Sequence, residues 1–130
     1  MKARRFSFMD DYATVYKWWI DWKWKPISPE FLPLTGIMIS NDGKDICCAW
    51  IYRTDSSMCV ADFFISDRYS NKKLRKGCVE FLINKLIEEA NRLGFKAIFS
   101  SVRNQNLINK LEKAGFAFKD LEMTNLTKVL

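Results

Sequence analysis

The stretch "KKLRKGCVEFLINKLIEEANRLGFKAIF", residues 72–99, decides the fold because it carries the longest helix that the sequence predicts and the strand after it. Apolar side chains recur in it at helical spacing, at Val79, Ile83, Leu86, Ala90 and Leu93. This periodicity predicts an amphipathic helix from about Lys73 to Leu93. Gly94 is expected to end the helix as its C-cap, and a strand is predicted over residues 95–102.

Upstream of this helix, the sequence predicts three strands joined by tight turns. The strands cover residues 35–40, 45–53 and 58–66, and the turns are "NDGK" at 41–44 and "TDSS" at 54–57. Turns of this composition between apolar runs are typical of hairpins. The three strands should therefore form an antiparallel meander, and the helix after them should return the chain to the same sheet.

The two ends of the chain complete the prediction. A strand is expected over residues 4–9, followed by a helix from Tyr12 to about Trp22 that Asp10 or Asp11 can cap. A short helix is expected in "NQNLINKLEKAGF", residues 104–116, and one or two strands in "FAFKDLEMTNLTKVL", residues 116–130. The pattern predicts one α/β (α+β) domain over residues 1–130, with a mixed, mostly antiparallel central sheet flanked by helices.

Composition excludes several functional classes. The chain has 130 residues, 48% of them hydrophobic and 28% charged, as in soluble globular proteins. It shows no apolar run of membrane-spanning length and no export signal, which predicts a cytoplasmic protein without membrane contact. Its four cysteines lack metal-binding spacing and are expected to be reduced core residues. It has no histidine, which excludes histidine bases and histidine metal ligands, and we expect no metal site.

The order of elements and three stretches resemble the GNAT superfamily of acetyltransferases. "ADFFIS", residues 61–66, resembles the family's fourth strand, and residues 72–99 resemble its acyl-CoA-binding loop and helix with the fifth strand. Residues 104–116 are similar to the family's last helix. The resemblance covers nearly the whole chain. It implies an acetyl-CoA-dependent N-acetyltransferase in which an amine attacks the thioester directly.

The resemblance also implies where coenzyme A would bind. The net charge of +6 permits an anionic partner, and basic residues are concentrated in "RYSNKKLRK", residues 68–76. A helix N-terminus favours phosphate groups. The family loop is matched by "KKLRKG", and the strand before it would offer backbone N–H groups to the thioester oxygen. The implied cofactor residues are Phe64, Ile65, Lys72, Lys73, Arg75, Lys76 and Gly77, with Asn104 or Asn106 from the last helix.

Two positions depart from the family pattern. Arg75 stands where the family loop has its middle glycine, which lets the backbone approach the phosphates, although an arginine side chain can also bind phosphate. Leu111 stands where the family often has the tyrosine that protonates the leaving thiolate. If the chain is an enzyme, the acid would be water or another group such as Tyr69.

Asp62 is the candidate catalytic base. It is flanked by apolar residues on a strand expected to be central, and burial there would raise its pKa toward that of a useful base. The competing interpretation is a carboxylate paired with a nearby lysine or arginine at the open end of the sheet.

Four of the five tryptophans lie in "WWIDWKW", residues 18–24. One face of the predicted helix should enter the core with Trp19. In the fold that the chain resembles, this helix and the loop after it form the wall of the acceptor site. We therefore expect Trp22 or Trp24 to contact the acceptor, the competing interpretation being a cluster that is entirely core.

Two other functions stay open. One is a GNAT-fold binding or inhibitory module that has lost catalysis, which the Arg75 and Leu111 departures favour. The other is a nucleic-acid-binding domain, which only the net charge and Trp24 favour, so nucleic acid is not the expected partner. The acceptor amine can be a protein or a small molecule, and the protein a monomer or a homodimer. Small size, aromatic richness and the lack of histidine would also suit a phage-encoded protein.

Overall fold

The computed structural model describes all residues, 1–130. A five-stranded sheet has the strand order β1-β2-β3-β4-β5, in which only β4 and β5 run parallel. This confirms the predicted mixed, mostly antiparallel sheet with flanking helices. The elements in chain order are β1 (Lys2–Arg5), α1 (Phe8–Asp21), a short 3₁₀ turn (Pro29–Phe31), β2 (Gly36–Asn41), β3 (Lys44–Tyr52), β4 (Met58–Ser66), α2 (Lys72–Arg92), β5 (Ala97–Phe99) and α3 (Gln105–Lys113).

Helix α2 is the crossover that makes β4 and β5 parallel. It begins at Lys72, one residue before the predicted start, because the side chain of Asn71 accepts a hydrogen bond from the Leu74 N–H at 3.0 Å and caps the helix. It ends at Arg92, and Gly94 follows with a φ of +87°, as expected just beyond a helix C-terminus. None of the three helices is both long enough and apolar enough to span a membrane.

The sheet has a core on each face. On the α2 side, Leu82 and Leu86 pack with Cys47, Ala49 and Ile51 of β3. On the α1 side, the core contains Phe6, Val15, Trp18, Trp19, Leu32, Met38, Cys48, Trp50 and Ile65. All four cysteines are buried and free. Burial raises the pKa of each thiol, so none of them is poised to act as a nucleophile.

The start of α1 differs from the prediction. The first strand ends at Arg5, and the helix begins at Phe8, after Ser7 at the N-cap position. The predicted cap residues lie inside the first turn. The buried carboxylate of Asp11 accepts hydrogen bonds from Arg4, at 2.8 and 2.9 Å, and from the Ser7 N–H at 2.8 Å. These bonds lower the pKa of Asp11 and fix α1 to the edge of the sheet.

The predicted C-terminal strands do not form. Residues 117–130 make no backbone–backbone hydrogen bond, although the sequence alternates like a strand. A strand needs a partner, and β5, predicted over residues 95–102, is only three residues long. Side-chain contacts of Lys119 with Glu112 and of Asn125 with Ser101 hold this segment beside α3 and beyond the end of β5.

Candidate active site

Strands β4 and β5, at one edge of the sheet, separate partway along β4 and leave an opening. Their parallel ladder runs from Met58 opposite Ala97 to Val60 opposite Phe99. The hydroxyl of Ser100 then donates to the Ala61 carbonyl at 2.6 Å. Beyond this point β5 has ended, whereas β4 continues to Ser66. One edge of β4 is therefore unpaired over residues 62–66.

A β-bulge lies at this opening. Asp62 is opposite Trp50 and Ile65 is opposite Cys48, so β4 has two residues where β3 has only one. Phe63 in the bulge has a φ of +58°, a conformation that is uncommon for a residue other than glycine. The Asp62 Oδ1 accepts a hydrogen bond from the Phe63 N–H at 2.7 Å. The carboxylate thereby satisfies the donor that the bulge removes from the ladder.

The bulge determines which backbone groups face the opening. The Asp67 N–H donates to the Ile46 carbonyl at the β3 side, at 2.8 Å. The Ser66 carbonyl instead accepts from the Trp22 Nε1 at 2.8 Å. Because successive residues of a strand direct their N–H and C=O groups to alternate sides, Ile65 faces β3 and Phe64 faces the opening. Of the two predicted thioester donors, Phe64 has the suitable orientation.

The Asp62 carboxyl is half-buried on the α1 face of the sheet. Burial raises its pKa above the ordinary value of 3.8, and the hydrogen bond from Phe63 opposes part of that shift. The structure shows no lysine or arginine bonded to Asp62. A carboxyl with these properties is a better proton acceptor than an exposed one.

Tyr52 is a neighbour of Asp62 that sequence reasoning missed. Tyr52 is opposite Val60 in the register, two positions from the pair of Trp50 with Asp62, and therefore lies on the same face. Burial and the charge of Asp62 raise the pKa of Tyr52 to about 12, so the phenol stays protonated at neutral pH. Its hydroxyl donates to the Phe31 carbonyl at 2.5 Å. Only the register of β3 with β4, which the sequence does not provide, brings these residues together.

The basic residues lie at the start of α2. The stretch "KKLRKG" that was matched to the family loop is helical, because Asn71 starts the helix in front of it. Lys72, Lys73 and Lys76 are exposed, and the backbone N–H groups of Lys72 and Lys73 have no acceptor within the chain. Free N–H groups at a positively charged helix N-terminus favour phosphate binding.

Arg75 has a different environment from these lysines. Its Nη1 donates to the carbonyls of Arg68 at 2.9 Å and of Asp67 and Ser70 at 3.3 Å each. Its guanidinium also lies 5.6 Å from the centre of the Trp22 ring. The side chain therefore binds the loop between β4 and α2, which the sequence alone did not indicate.

The tryptophan cluster is divided. Trp18 and Trp19 are buried in the core, and Trp19 stacks on Trp50 with ring centres 6.0 Å apart. Trp22 connects the end of α1 to the end of β4 and stacks on Trp24 at 5.5 Å. Trp24 is 48% exposed. Its contact with an acceptor, like that of Trp22, stays a prediction.

The residues predicted on α3 have separate positions. Asn104 caps the helix, its side chain accepting from the Leu107 N–H at 3.1 Å. Asn106 lies in the first turn and is exposed. Leu111 is buried, and it offers no proton to a leaving group. Tyr69, predicted as the alternative to water as the acid, lies between β4 and α2 and is exposed, with its ring beside the ammonium of Lys17.

No protein-family model and no curated protein matches the chain. Solved structures do. A probable acetyltransferase is 15% identical with a TM-score of 0.71, covering 100% of this chain and 98% of that one. The ribosomal-protein-S18-alanine N-acetyltransferase from Escherichia coli is 17% identical with a TM-score of 0.68, covering 88% and 76%. N-acetylglutamate synthase from Neisseria gonorrhoeae, complexed with coenzyme A and N-acetyl-glutamate, is 15% identical with a TM-score of 0.64, covering 88% and 27%.

The similarity to the probable acetyltransferase covers the whole chain and therefore includes the elements that form the opening between β4 and β5. With identities of 15% and 17%, the similarities to these structures show the fold of the chain alone. Together with the strand order and the bulge in β4, they show that this chain has the fold of the GNAT acetyltransferases.

Proposed function

We propose that the protein is an N-acetyltransferase that transfers the acetyl group of acetyl-CoA to an amine. The observation that carries this proposal is the opening between β4 and β5, where the Phe64 N–H faces outward beside the free N-terminus of α2. The similar structure that holds coenzyme A supports the choice of cofactor.

The residues present fit coenzyme A, which has phosphate groups at one end and a thiol at the other. The free N–H groups of Lys72 and Lys73 are suited to a phosphate, and the Lys76 side chain adds a third cation nearby. Gly77 follows on the same helix, and Asn106 leaves its side chain free at the start of α3. Arg75 supports this site by holding the preceding loop. Bound acetyl-CoA supplies the acetyl group and a thiolate as the leaving group.

The Phe64 N–H and Asp62 have different roles in the proposed reaction. A backbone N–H that is fixed at the opening stabilises the negative charge that develops on a carbonyl oxygen under attack. The Asp62 Oδ1 is held by the Phe63 N–H, which leaves Oδ2 available to accept a proton from the amine, directly or through water. Since Leu111 is apolar, we assign protonation of the leaving group to water.

The acceptor site is proposed on the α1 face of the sheet. Asp62 and Tyr52 lie on this face, and Tyr52 holds the 3₁₀ turn through the Phe31 carbonyl. Trp22 and Trp24 lie further along, beside the end of β4. An amine that approached Asp62 would be flanked by aromatic side chains, which attract cations.

Two measurements test the proposal. Isothermal titration calorimetry with acetyl-CoA is expected to show binding to one site, and mass spectrometry is expected to show acetyl transfer to a member of a panel of primary amines. Absence of acetyl-CoA binding would overturn the proposal.

A second function is favoured by one observation. Leu111 is buried where the family's acid would stand, which is compatible with a GNAT-fold module that binds acetyl-CoA or a partner without catalysis. Binding of acetyl-CoA without transfer to amines, peptides or intact proteins would select this alternative.

A further inference from the structure

A groove on the α2 face of the sheet lies apart from the candidate active site. It has a volume of about 350 Å³ and is formed by β1, the start of β2 and the second half of α2. This volume lies in the range of small-molecule sites. Glu89, which lines the groove, is about 25 Å along the axis of α2 from Lys72. The groove is therefore separate from the helix N-terminus proposed for the phosphates of coenzyme A.

Arg5 and Thr35 line the groove from adjacent strands. Arg5 is opposite Ile37 in the register of β1 with β2, and Ile37 packs against the α2-side core. Thr35 precedes Ile37 by two positions, so all three side chains share this face of the sheet. Diagonal neighbours of this kind are close enough for a long side chain to span the distance between them. A ligand in the groove can therefore contact both the Arg5 guanidinium and the Thr35 hydroxyl.

Neither of these side chains has a partner within the chain. Thr35 is only 8% exposed, yet its hydroxyl forms no hydrogen bond, and only its backbone carbonyl is used, in the sheet. The Arg5 guanidinium forms neither a hydrogen bond nor an ion pair, whereas the neighbouring Arg4 pairs with Asp11 and Asp45. A nearly buried hydroxyl beside a free guanidinium is a pair of donors that a ligand can satisfy.

The carboxylates of the groove already have cationic partners. Glu89 accepts two hydrogen bonds from Arg92, one of them from Nε at 2.9 Å, and Glu88 pairs with Lys85 at 3.0 Å. The hydrogen bond from Arg92 lowers the pKa of Glu89, burial opposes this shift, and the charges of Arg92 and Arg5 lower the pKa further. Since each carboxylate is matched by its own cation, Arg5 gives the groove an excess positive charge.

We propose that this groove binds the phosphate group of a small phosphorylated metabolite through the Arg5 guanidinium and the Thr35 hydroxyl. A guanidinium can donate two parallel hydrogen bonds and the hydroxyl a third, which matches the three terminal oxygens of a phosphate monoester. A carboxylate offers only two oxygens, and a phosphodiester has only two that are free. The volume of the groove leaves room beside the phosphate for a small organic group.

The position of the site is tested by a heteronuclear NMR titration of the full-length protein with glycerol 3-phosphate at constant ionic strength. The backbone amide signals of Arg5 and Thr35 are expected to shift with a saturating dependence on concentration. They are followed separately from those of Lys72 and Lys73, so the groove is measured independently of the proposed coenzyme A site. A titration without shifts at Arg5 and Thr35 would overturn the proposal.

Three substitutions test the two donors in the same titration. Arg5→Gln should weaken binding by about tenfold or more, and Thr35→Val, which keeps the shape of the side chain, by about threefold. Lys2→Gln is the matched control, because it removes one positive charge from the opposite face of the same strand. It should leave the affinity unchanged. Equal weakening by Lys2→Gln and Arg5→Gln would show attraction to net charge alone and would contradict the site.

The class of ligand is tested with two further probes, inorganic phosphate and malonate. Glycerol 3-phosphate should bind more tightly than either of them. Equal affinity for malonate would show that the groove does not recognise phosphate, and equal affinity for inorganic phosphate would show that it does not recognise the organic group; either result overturns the assignment. Arg5→Lys keeps the charge but loses the paired donors, so it should reduce the preference for glycerol 3-phosphate over malonate. An unchanged preference would exclude the proposed role of Arg5.

Discussion

The carboxylate of Asp62 accepts a hydrogen bond from the backbone N–H of the next residue, Phe63, at 2.7 Å. This single hydrogen bond connects two features of the candidate site. It stabilises the bulge that directs the Phe64 N–H into the opening, and it fixes one carboxylate oxygen so that the other has a defined orientation. Asp62 can therefore stabilise the bulge through this hydrogen bond and accept a proton on its other carboxylate oxygen.

Substitutions at Asp62 can separate these two contributions. Asp62→Asn keeps an oxygen that can accept from the Phe63 N–H but removes basicity. We expect it to leave acetyl-CoA binding intact and to lower turnover by about 10²–10⁴-fold, with a smaller loss at high pH, where free amine is abundant. Steady-state kinetics as a function of pH provide the measurement.

Asp62→Ala is the comparison for that experiment, because it removes the acceptor as well as the charge. Leaving the Phe63 N–H without its partner should lower the free energy of unfolding by about 1–3 kcal/mol. An Asp62→Asn enzyme with full activity at every pH would show that the base is another group.

The raised pKa of Asp62 also predicts a pH dependence of stability. The folded state holds the proton of Asp62 to a higher pH than the unfolded state does. The stabilisation that the protonated carboxyl contributes is therefore complete below the ordinary pKa of 3.8. The effect disappears as the pH rises from there through the raised folded pKa. The stability of the wild type relative to Asp62→Asn should therefore fall across this window and then level off, as measured by urea unfolding at several pH values. A flat difference would mean that the pKa of Asp62 is not raised.

The basic residues at the start of α2 should separate into two groups. Lys73→Ala and Lys76→Ala should weaken acetyl-CoA binding by about 1 kcal/mol or more for each charge-assisted hydrogen bond to phosphate that the substitution removes, without a change in melting temperature. Arg75→Ala should lower the melting temperature as well, since it frees the loop carbonyls of Arg68, Asp67 and Ser70. Calorimetry and thermal unfolding measure the two effects. Equal melting temperatures for Arg75→Ala and Lys76→Ala would contradict the loop-holding role.

The elements that depend on local signals could be predicted from the sequence. Strand β4 has the predicted bounds, Met58–Ser66, because turn residues and apolar runs define it locally. Helix α2 differs from its prediction by one residue at each end. The signals for these elements lie within a few residues of each other along the chain, so the rest of the fold is not needed to interpret them.

The site could be predicted only in part. The sequence singled out Asp62 and the basic stretch, but not Tyr52, nor the bonds of Arg75 to the loop. Those contacts depend on the register of β3 with β4 and on the approach of α1 to the end of β4. The C-terminal segment illustrates the same limit, because an alternating pattern shows that a segment can pair but not which edge is available to it.

Because the tryptophan cluster is divided, substitutions of Trp19 and Trp24 should have different effects. Trp19 is buried and stacked on Trp50, so Trp19→Ala should lower the free energy of unfolding by about 3–5 kcal/mol. Trp24 is half exposed, so Trp24→Ala should leave stability nearly unchanged and alter the Michaelis constant for the acceptor. Chemical unfolding and acceptor kinetics check the pair. Equal destabilisation by both substitutions would place Trp24 in the core.

Two glycines should respond in opposite directions to the same substitution. A Cβ added at Gly36 would lie 2.6 Å from the Nε1 and 2.7 Å from the Cδ1 of the Trp50 ring, and 2.8 Å from the Cβ of Phe6. Both neighbours are buried and cannot move freely, so Gly36→Ala should destabilise the protein by about 1–3 kcal/mol.

At Gly77, inside α2, a Cβ would meet only the terminal methyl of Met1, at 3.2 Å. Because alanine is favoured over glycine within helices, Gly77→Ala should stabilise the protein by about 0.5–1 kcal/mol. Urea unfolding of the two variants beside the wild type measures both effects. A Gly36→Ala protein as stable as the wild type would show that the Trp50 ring can move within the α1-side core to make room for the added methyl group.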